Sequence, residues 1–240
     1  MEEGFMRLHK FLAQQGVASR RKVEEMMRGG RVAVNDAIVS LPGTRIQPGV
    51  DRVSVDGRPV AAQSAARRTI MLNKPRGYVC SKSQVEGRTV YDLLRDVEER
   101  LVPVGRLDKN TEGLLLLSSD GDLVLRLTHP RFEKEKEYRV TVSGPVSDQQ
   151  LRTLQSPLLM DGYRTRPAAV CICGPGTKTS RWILNFVLKE GRKRQIRALC
   201  EEARLEIHRL VRVRVGRLTM GNLRPGQWRD LTAAELVALR

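Results

Sequence analysis

The sequence predicts an α+β protein of two unequal units, one over residues 1–60 and one over residues 68–240. Three observations carry this. Strand-like and helix-like segments are mixed without the regular strand–helix–strand alternation of a parallel sheet. The stretch Ala61-Ala62-Gln63-Ser64-Ala65-Ala66 is small and polar, and residues 61–67 read as a linker. Leu114–Leu117, four leucines between turn residues, read as a strand buried on both faces. That strand fits a mixed, largely antiparallel sheet flanked by helices.

The elements of the first unit follow in order. Leu8, Phe11 and Leu12 have helical spacing, and Gly16 can end that helix. Ser19 is placed to cap a second helix, whose inner face holds Val23, Met26 and Met27 before Gly29-Gly30 stops it. Arg31–Val34 alternates as a strand, Asn35-Asp36 turns, and Ile38-Val39 returns. Val53–Val55 followed by Asp56-Gly57 repeats that logic. Arg7, Lys10, Arg20, Arg21 and Lys22 lie on the two helices. They fit a small RNA-binding module or, on charge alone, an ordinary solvated surface.

In the second unit, Thr69–Asn73 is strand-like, and Lys74-Pro75-Arg76-Gly77 breaks it with a turn. A short helix begins at Val90–Leu94. The leucine strand follows, then a helix about Leu123–Leu127 stopped near Pro130. Glu137–Ser143 alternates, with Tyr138, Val140 and Val142 on one side. Arg181–Leu188 alternates too, with Trp182, Leu184, Phe186 and Leu188 sharing a face. Ile196, Leu199, Cys200 and Ala203 mark a helix. Val211, Val213 and Val215 form another alternating strand, with Arg212 and Arg214 opposite them. Thr232 and Glu235 make a capping box for a last helix.

The net charge is +16, from 43 Lys+Arg and 27 Asp+Glu. Such an excess points to a polyanion, most simply nucleic acid. Residues 189–217 alone hold 10 basic and 4 acidic residues. Aromatic residues are only 4%, so phosphate contacts rather than stacked single-strand platforms should dominate binding. No apolar run approaches the roughly 18 residues that span a bilayer. Met1-Glu2-Glu3-Gly4 does not open a secretory signal, so the expected location is the cytoplasm. The four cysteines form no Cys-x-x-Cys pair and the three histidines are scattered, so no metal site is expected. Cys171 and Cys173 share a strand face, and buried reduced thiols are the expectation there. Nothing in the sequence demands an oligomer, so a monomer is expected.

One segment joins an acid to the leucine strand: Gly105-Arg106-Leu107-Asp108-Lys109-Asn110-Thr111-Glu112-Gly113. A carboxylate against an apolar wall needs a cation close by. The segment alone fits either an active-site loop or a structural ion pair.

Two resemblances sharpen these readings. Arg7–Ala13, Ser19–Glu24 and Gly30–Asn35, in the order helix, Ser-Arg-Arg, helix, Gly-Arg-Val-x-Val-Asn, resemble the S4 domain over about 50 residues. Lys74-Pro75-x-Gly77, then Gly105-Arg-Leu-Asp-x-x-Thr-x-Gly-Leu-Leu-Leu-Leu, then Gly191-Arg-Lys-Arg-Gln-Ile-Arg197 resemble the pseudouridine synthases. Within them, the resemblance is to the branch that pairs an S4 domain with a catalytic domain and modifies ribosomal RNA, nearest to the large-subunit enzymes. It extends from about Arg7 to Leu231. One departure is Ser118-Ser119, where family members often have Thr-Asn.

The resemblance implies isomerisation of uridine in ribosomal RNA or an assembly intermediate, without cofactor or metal. It makes Asp108 the catalytic carboxylate, as a nucleophile or a base at the sugar. It makes Arg197 the active-site cation and Tyr138 the ring placed against the base. Arg192, Lys193, Arg194 and Gln195 join the RNA-contacting residues, with Arg106 either contacting RNA or supporting its loop. Lys74, Pro75, Gly77, Leu107, Thr111 and Gly113 are expected to shape the site. The small-subunit RNA is an alternative target. A non-catalytic S4-type assembly protein is the rival reading, but binding alone requires none of Asp108, Tyr138 and Arg197.

Overall fold

A computed structural model describes residues 4–61, 67–83, 85, 87–176 and 180–239. The core of the expected linker, residues 62–66, lies outside the described residues. The chain divides into two compact units, Met1–Arg67 and Arg68–Arg240.

The first unit runs β1 (Met6–Arg7), α1 (Leu8–Gln14), α2 (Arg20–Arg28), β2 (Val32–Val34), β3 (Ala37–Ile38), β4 (Arg45–Ile46), β5 (Val53–Val55) and β6 (Arg58–Pro59). Ser19 caps α2, its hydroxyl accepting from the Lys22 amide at 3.2 Å. Asn35 and Asp36 both adopt positive φ, the conformation a two-residue hairpin turn requires between β2 and β3. The expected inner residues of both helices pack with Val32, Ile46, Val53 and Val55 in one core. That burial, rather than helix propensity, holds helices of seven and nine residues together.

The second unit runs β7 (Thr69–Lys74), β8 (Val102–Pro103), β9 (Glu112–Ser118), α3 (Gly121–Thr128), β10 (Lys136–Ser143), α4 (Asp148–Gln155), β11 (Leu159–Met160), β12 (Tyr163–Arg164), β13 (Ala169–Pro175), β14 (Arg181–Leu188), α5 (Gln195–Glu202), β15 (Ile207–Val215), β16 (Leu218–Thr219), β17 (Trp228–Asp230) and α6 (Ala233–Leu239). Val90–Leu93 is a single 3₁₀ turn, closed by a Thr89–Asp92 capping box, rather than a longer helix.

The main sheet has the order β13-β14-β10-β15-β9-β7-β17, with β8 paired to β9 and β16 paired to β15 off that path. Among the described strands of this sheet, β9 and β15 alone pair in parallel; the other pairs are antiparallel. The leucines of β9 are buried on both faces, as expected. Leu114 and Leu116 pack with Leu123, Leu127, Val215 and Leu239 on one side. Leu115 and Leu117 pack with Ile70, Leu72, Val90 and Leu107 on the other. The Ser118-Ser119 departure has a place here. Ser118 Oγ lies 2.8 Å from Thr69 Oγ1 and accepts from the Asp120 amide, and Ser119 Oγ accepts from the Arg68 amide. Both hydroxyls therefore pin β9 to the start of β7.

One expectation is corrected. Cys171 and Cys173 are exposed, because β13 is the outermost strand of the sheet and nothing among the described residues covers that face. Arg212, on the face opposite the valines, is itself buried, at 5% exposed.

Candidate active site

The site grows from the register of the sheet. Directly opposed residues on paired strands project to the same face. Successive pairings set Phe186, Tyr138, Arg212, Gly113 and Lys74 in one row across β14, β10, β15, β9 and β7. The row has one empty place, at Gly113. Its φ is +104°, and a Cβ there would lie 2.2 Å from the Arg212 carbonyl oxygen. Glycine is therefore required where β9 and β15 approach.

The loop that carries Asp108 leads into that point. Leu107 anchors it in the apolar cluster of Ile70, Leu72, Leu115 and Leu117. Lys74 holds it from below. This lysine is 0% exposed, and its Nζ donates to the carbonyls of Thr111 (2.7 Å), Pro75 (3.1 Å), Asp108 (3.2 Å) and Lys109 (3.3 Å). Burial pushes its pKa down to about 8. A charge buried this deeply persists because the carbonyl dipoles converge on it. Gly77 adds a further tie, its amide donating to the Lys109 carbonyl at 2.8 Å. The structure thus brings together Lys74, Pro75, Gly77, Leu107, Thr111 and Gly113 around one loop.

Arg197, on the first turn and a half of α5, holds the loop from the other side. Its Nη2 donates to the Asn110 carbonyl at 3.0 Å and reaches Thr111 Oγ1 at 3.4 Å. Its Nε lies 3.7 Å from Asp108 Oδ2, an ion pair without a hydrogen bond. That Nε is buried and has no hydrogen-bond partner. Buried donors are seldom left unpaired, which singles this contact out among the described residues. Arg197 and Asp108 are both partly accessible, with side-chain exposures of 18% and 33%.

Tyr138 is half-buried in the same row and touches both the β7–β9 cluster and the β10–β14 core. Arg106 is exposed and makes no hydrogen bond or ion pair with the described residues. Arg192, Lys193 and Arg194 are exposed on the turn before α5, and the Arg192 guanidinium stacks on Tyr163 at 3.4 Å from the ring centre. Arg7, Arg20, Arg21 and Lys22 are exposed in the first unit, with Lys22 paired to Glu25; Lys10 is half-buried. Gln195 departs from expectation. It is 2% exposed and donates to Glu190 at 2.9 Å, so it organises the turn from inside rather than meeting RNA.

Sequence reasoning missed two cations of this face, Arg212 and Lys136. Arg212 lies in the row itself and donates through Nε to the Leu114 carbonyl at 2.8 Å. Lys136 stands two residues before Tyr138 on β10. The only signal available was the two-residue spacing from Tyr138. Among the described residues no group of three or more His, Cys, Asp or Glu could hold a metal.

A carboxylate on a clamped loop, with a guanidinium beside it, can attack or deprotonate a sugar carbon, and the Tyr138 ring, in the row that the loop leads into, can hold a planar base. Comparison with known proteins gives the family. Residues 68–202 match the RNA pseudouridylate synthase family, and residues 6–51 match the S4 domain. The chain belongs to the RNA pseudouridine synthase family. It is 35% identical to the ribosomal large subunit pseudouridine synthase B of Bacillus subtilis, over 98% of this chain and 95% of that one. It is 37% identical to the protein of the same name from Escherichia coli K12, over 98% and 82%. An RNA pseudouridine synthase from Aquifex aeolicus is 38% identical over 98% and 93%. Among solved structures, a pseudouridylate synthase superposes with a TM-score of 0.66 at 28% identity, over 98% of this chain and all of that one. As an RNA pseudouridine synthase the chain is an isomerase, and it carries an S4 RNA-binding domain ahead of the synthase domain.

Proposed function

We propose that this pseudouridine synthase isomerises uridine in large-subunit ribosomal RNA, with Asp108 as its catalytic carboxylate. The single observation that supports the assignment of Asp108 is its position. It is an accessible acid on a loop clamped by Lys74 and Arg197, 3.7 Å from an otherwise unpaired guanidinium nitrogen. The large-subunit target follows the names of relatives that align over nearly the whole chain.

The chemistry balances within the substrate. The bond from ribose C1′ to base N1 breaks, the base turns, and a bond forms from C1′ to C5. The proton on C5 leaves and N1 gains one. Asp108 serves as a nucleophile at C1′ or as a base at the sugar; both roles use the ionised carboxylate. Arg197 ties down the loop and stands beside the acid, keeping it aimed. Tyr138 stacks on the extruded uracil, and its hydroxyl is available for proton transfer at C5. Extrusion costs a few kcal/mol, which phosphate contacts by the basic surface offset. Those contacts come from Arg106, Arg192, Lys193 and Arg194 here and from Arg7, Lys10, Arg20, Arg21 and Lys22 in the S4-like unit.

Asp108→Asn tests the assignment. The variant should give no pseudouridine while binding RNA almost as tightly as the parent, because it alters no phosphate contact. Carbodiimide labelling and primer extension on large-subunit RNA, with and without the protein, read out both the product and the target uridine. Normal yield from Asp108→Asn would sink the assignment; product confined to small-subunit RNA would sink the target.

A further inference from the structure

Lys136 is a cation without a partner. It makes no hydrogen bond or ion pair with any described residue, although it is half-buried. Neighbouring charges do not compensate it. Glu137, next in sequence, points to the opposite face and pairs with Arg214, which also reaches Glu135 at 3.3 Å. The group that does face Lys136 is Arg212, a second cation, which adds to the effect of burial in pushing the Lys136 pKa down to about 8. Two like charges that feel each other in a half-buried place are unfavourable for the free protein. No acid among the described residues pairs with Lys136, and an anion arriving from outside would offset the cost.

The register says where that anion would sit. The β10–β14 pairing is unbroken from Lys136↔Leu188 to Tyr138↔Phe186, so Lys136 and Tyr138 share a face. They are about 6.7 Å apart along the strand. Arg212 is the direct partner of Tyr138 on the other side, past a bulge between Glu137 and Tyr138. The bulge brings Arg212 level with Tyr138 and leaves Lys136 as the next group toward the end of the strand. A nucleotide whose base lies on Tyr138 has its own backbone within reach of that end.

We propose that Lys136, backed by Arg212, binds a backbone phosphate of the extruded uridine, so that the strand carrying Tyr138 grips the target nucleotide at both its base and its phosphate. This rests on the reading of the Asp108–Tyr138 cleft as the uridine site. A permanent anion suits the site better than a charge that develops only during reaction, because the two cations are uncompensated in the resting protein. The contact would select an extruded nucleotide over a stacked one, since only the former brings its phosphate to the floor of the cleft.

The test uses the full-length protein and an RNA stem-loop containing the mapped uridine. In one series each of the two phosphates flanking that uridine is replaced by a neutral methylphosphonate, with deoxyribose at that linkage in all substrates. Wild type, Lys136→Met and Lys136→Arg are compared. On the phosphate substrate, Lys136→Met should raise KM about tenfold or more, a charge-assisted hydrogen bond's worth, with a much smaller change in kcat. Lys136→Arg should restore most of the loss. At one of the two linkages the methylphosphonate should cost wild type a similar factor and Lys136→Met almost nothing. Thermal unfolding guards against a structural explanation: Lys136→Met should melt no lower than wild type, since it removes a charge repelled by Arg212. Additive effects of the two changes at both linkages would overturn the proposal, as would a loss confined to kcat or a lowered melting temperature. Turnover by wild type with none by Asp108→Asn reports separately on the catalytic assignment, so failure of the coupling alone removes only the phosphate contact.

Discussion

Gly113 carries the parallel junction between β9 and β15 on the absence of a side chain. Its φ of +104° is strained for any L residue, and the atom a Cβ would strike is backbone, the Arg212 carbonyl oxygen at 2.2 Å. Backbone cannot swing aside as a long side chain can. Gly113→Ala must therefore either distort the row that holds Lys74, Arg212 and Tyr138 or separate the two strands. Strain and overpacking together should cost about 3 kcal/mol or more. Chemical denaturation followed by circular dichroism measures it. The variant should also lose turnover beyond its loss of folded protein, because Thr111 and Asp108 hang from the same junction. A Gly113→Ala protein as stable as the parent would mean that this row is pliable. The neighbouring lysine illustrates a different rule. Lys74 is among the largest fully buried side chains, yet its charge is met by four carbonyls, three of them from the loop it positions. Arg197, by contrast, keeps one buried N–H unsatisfied at the place where substrate chemistry is proposed. Lys74 is fully buried and satisfied, whereas Arg197 is partly accessible and keeps one donor unpaired, as the proposed roles of support and active-site cation require.

Elements are where sequence reading succeeds and fails for identifiable reasons. The final helix is one success. Thr232 and Glu235 form the expected reciprocal cap, with the Thr232 amide donating to Glu235 Oε2 at 2.9 Å and the Glu235 amide donating to Thr232 Oγ1 at 3.2 Å. The Arg229 guanidinium adds a two-pronged contact at 2.8 and 2.6 Å. Chiefly through Arg229, the Glu235 carboxyl is held at about 2, below its ordinary 4.5. A carboxyl whose pKa is lower folded than unfolded stabilises the fold fully above its unfolded value, and that stabilisation fades as pH falls toward the folded value. Glu235→Ala should therefore lose about 1 kcal/mol near neutrality. The gap to wild type should narrow as pH drops from about 5 to about 3. A gap that stays constant over that range would mean the carboxylate charge contributes nothing. The cap was legible because it is local, three residues reporting on one another. The Asp108 loop was legible for a similar reason, a continuous motif ending in an apolar strand. Arg212 and Gln195 were not. Alternation in β15 divides residues between two faces, but only the strand order reveals that both faces are covered. Gln195 sits among charged residues and reads as surface, whereas the turn before α5 points it at Glu190. Cys171 and Cys173 failed in the opposite sense, because an edge strand looks like an inner one until its neighbours are known.

The whole molecule joins a charge problem to a chemical one. Its net charge of +16 is spread over two compact units, each with its own apolar core. Residues 1–60 hold 10 basic and 7 acidic residues, a modest excess, while residues 189–217, which cover the turn, α5 and β15, hold 10 and 4. Bulk charge therefore favours the catalytic unit as the main electrostatic anchor, and the S4-like unit contributes a few placed contacts, with Arg7 exposed at the end of β1 and Arg20 and Arg21 exposed on α2. Removing residues 1–67 separates these contributions. The remaining protein should fold, since its three apolar clusters lie wholly within residues 68–240. Its KM for intact ribosomal RNA should rise at least tenfold while kcat at saturation changes much less, because docking is lost and the reacting groups are kept. The slope of log affinity against log salt should become shallower by roughly one unit for each phosphate contact removed, and only by a few units in total. Filter binding across a salt series and single-turnover assays on the same RNA measure the two effects. Equal losses in KM and kcat would mean that the S4-like unit takes part in forming the cleft. An unchanged salt slope would mean that its exposed arginines never meet the RNA, leaving the surface around Arg192–Arg194 to carry the charge contacts by itself.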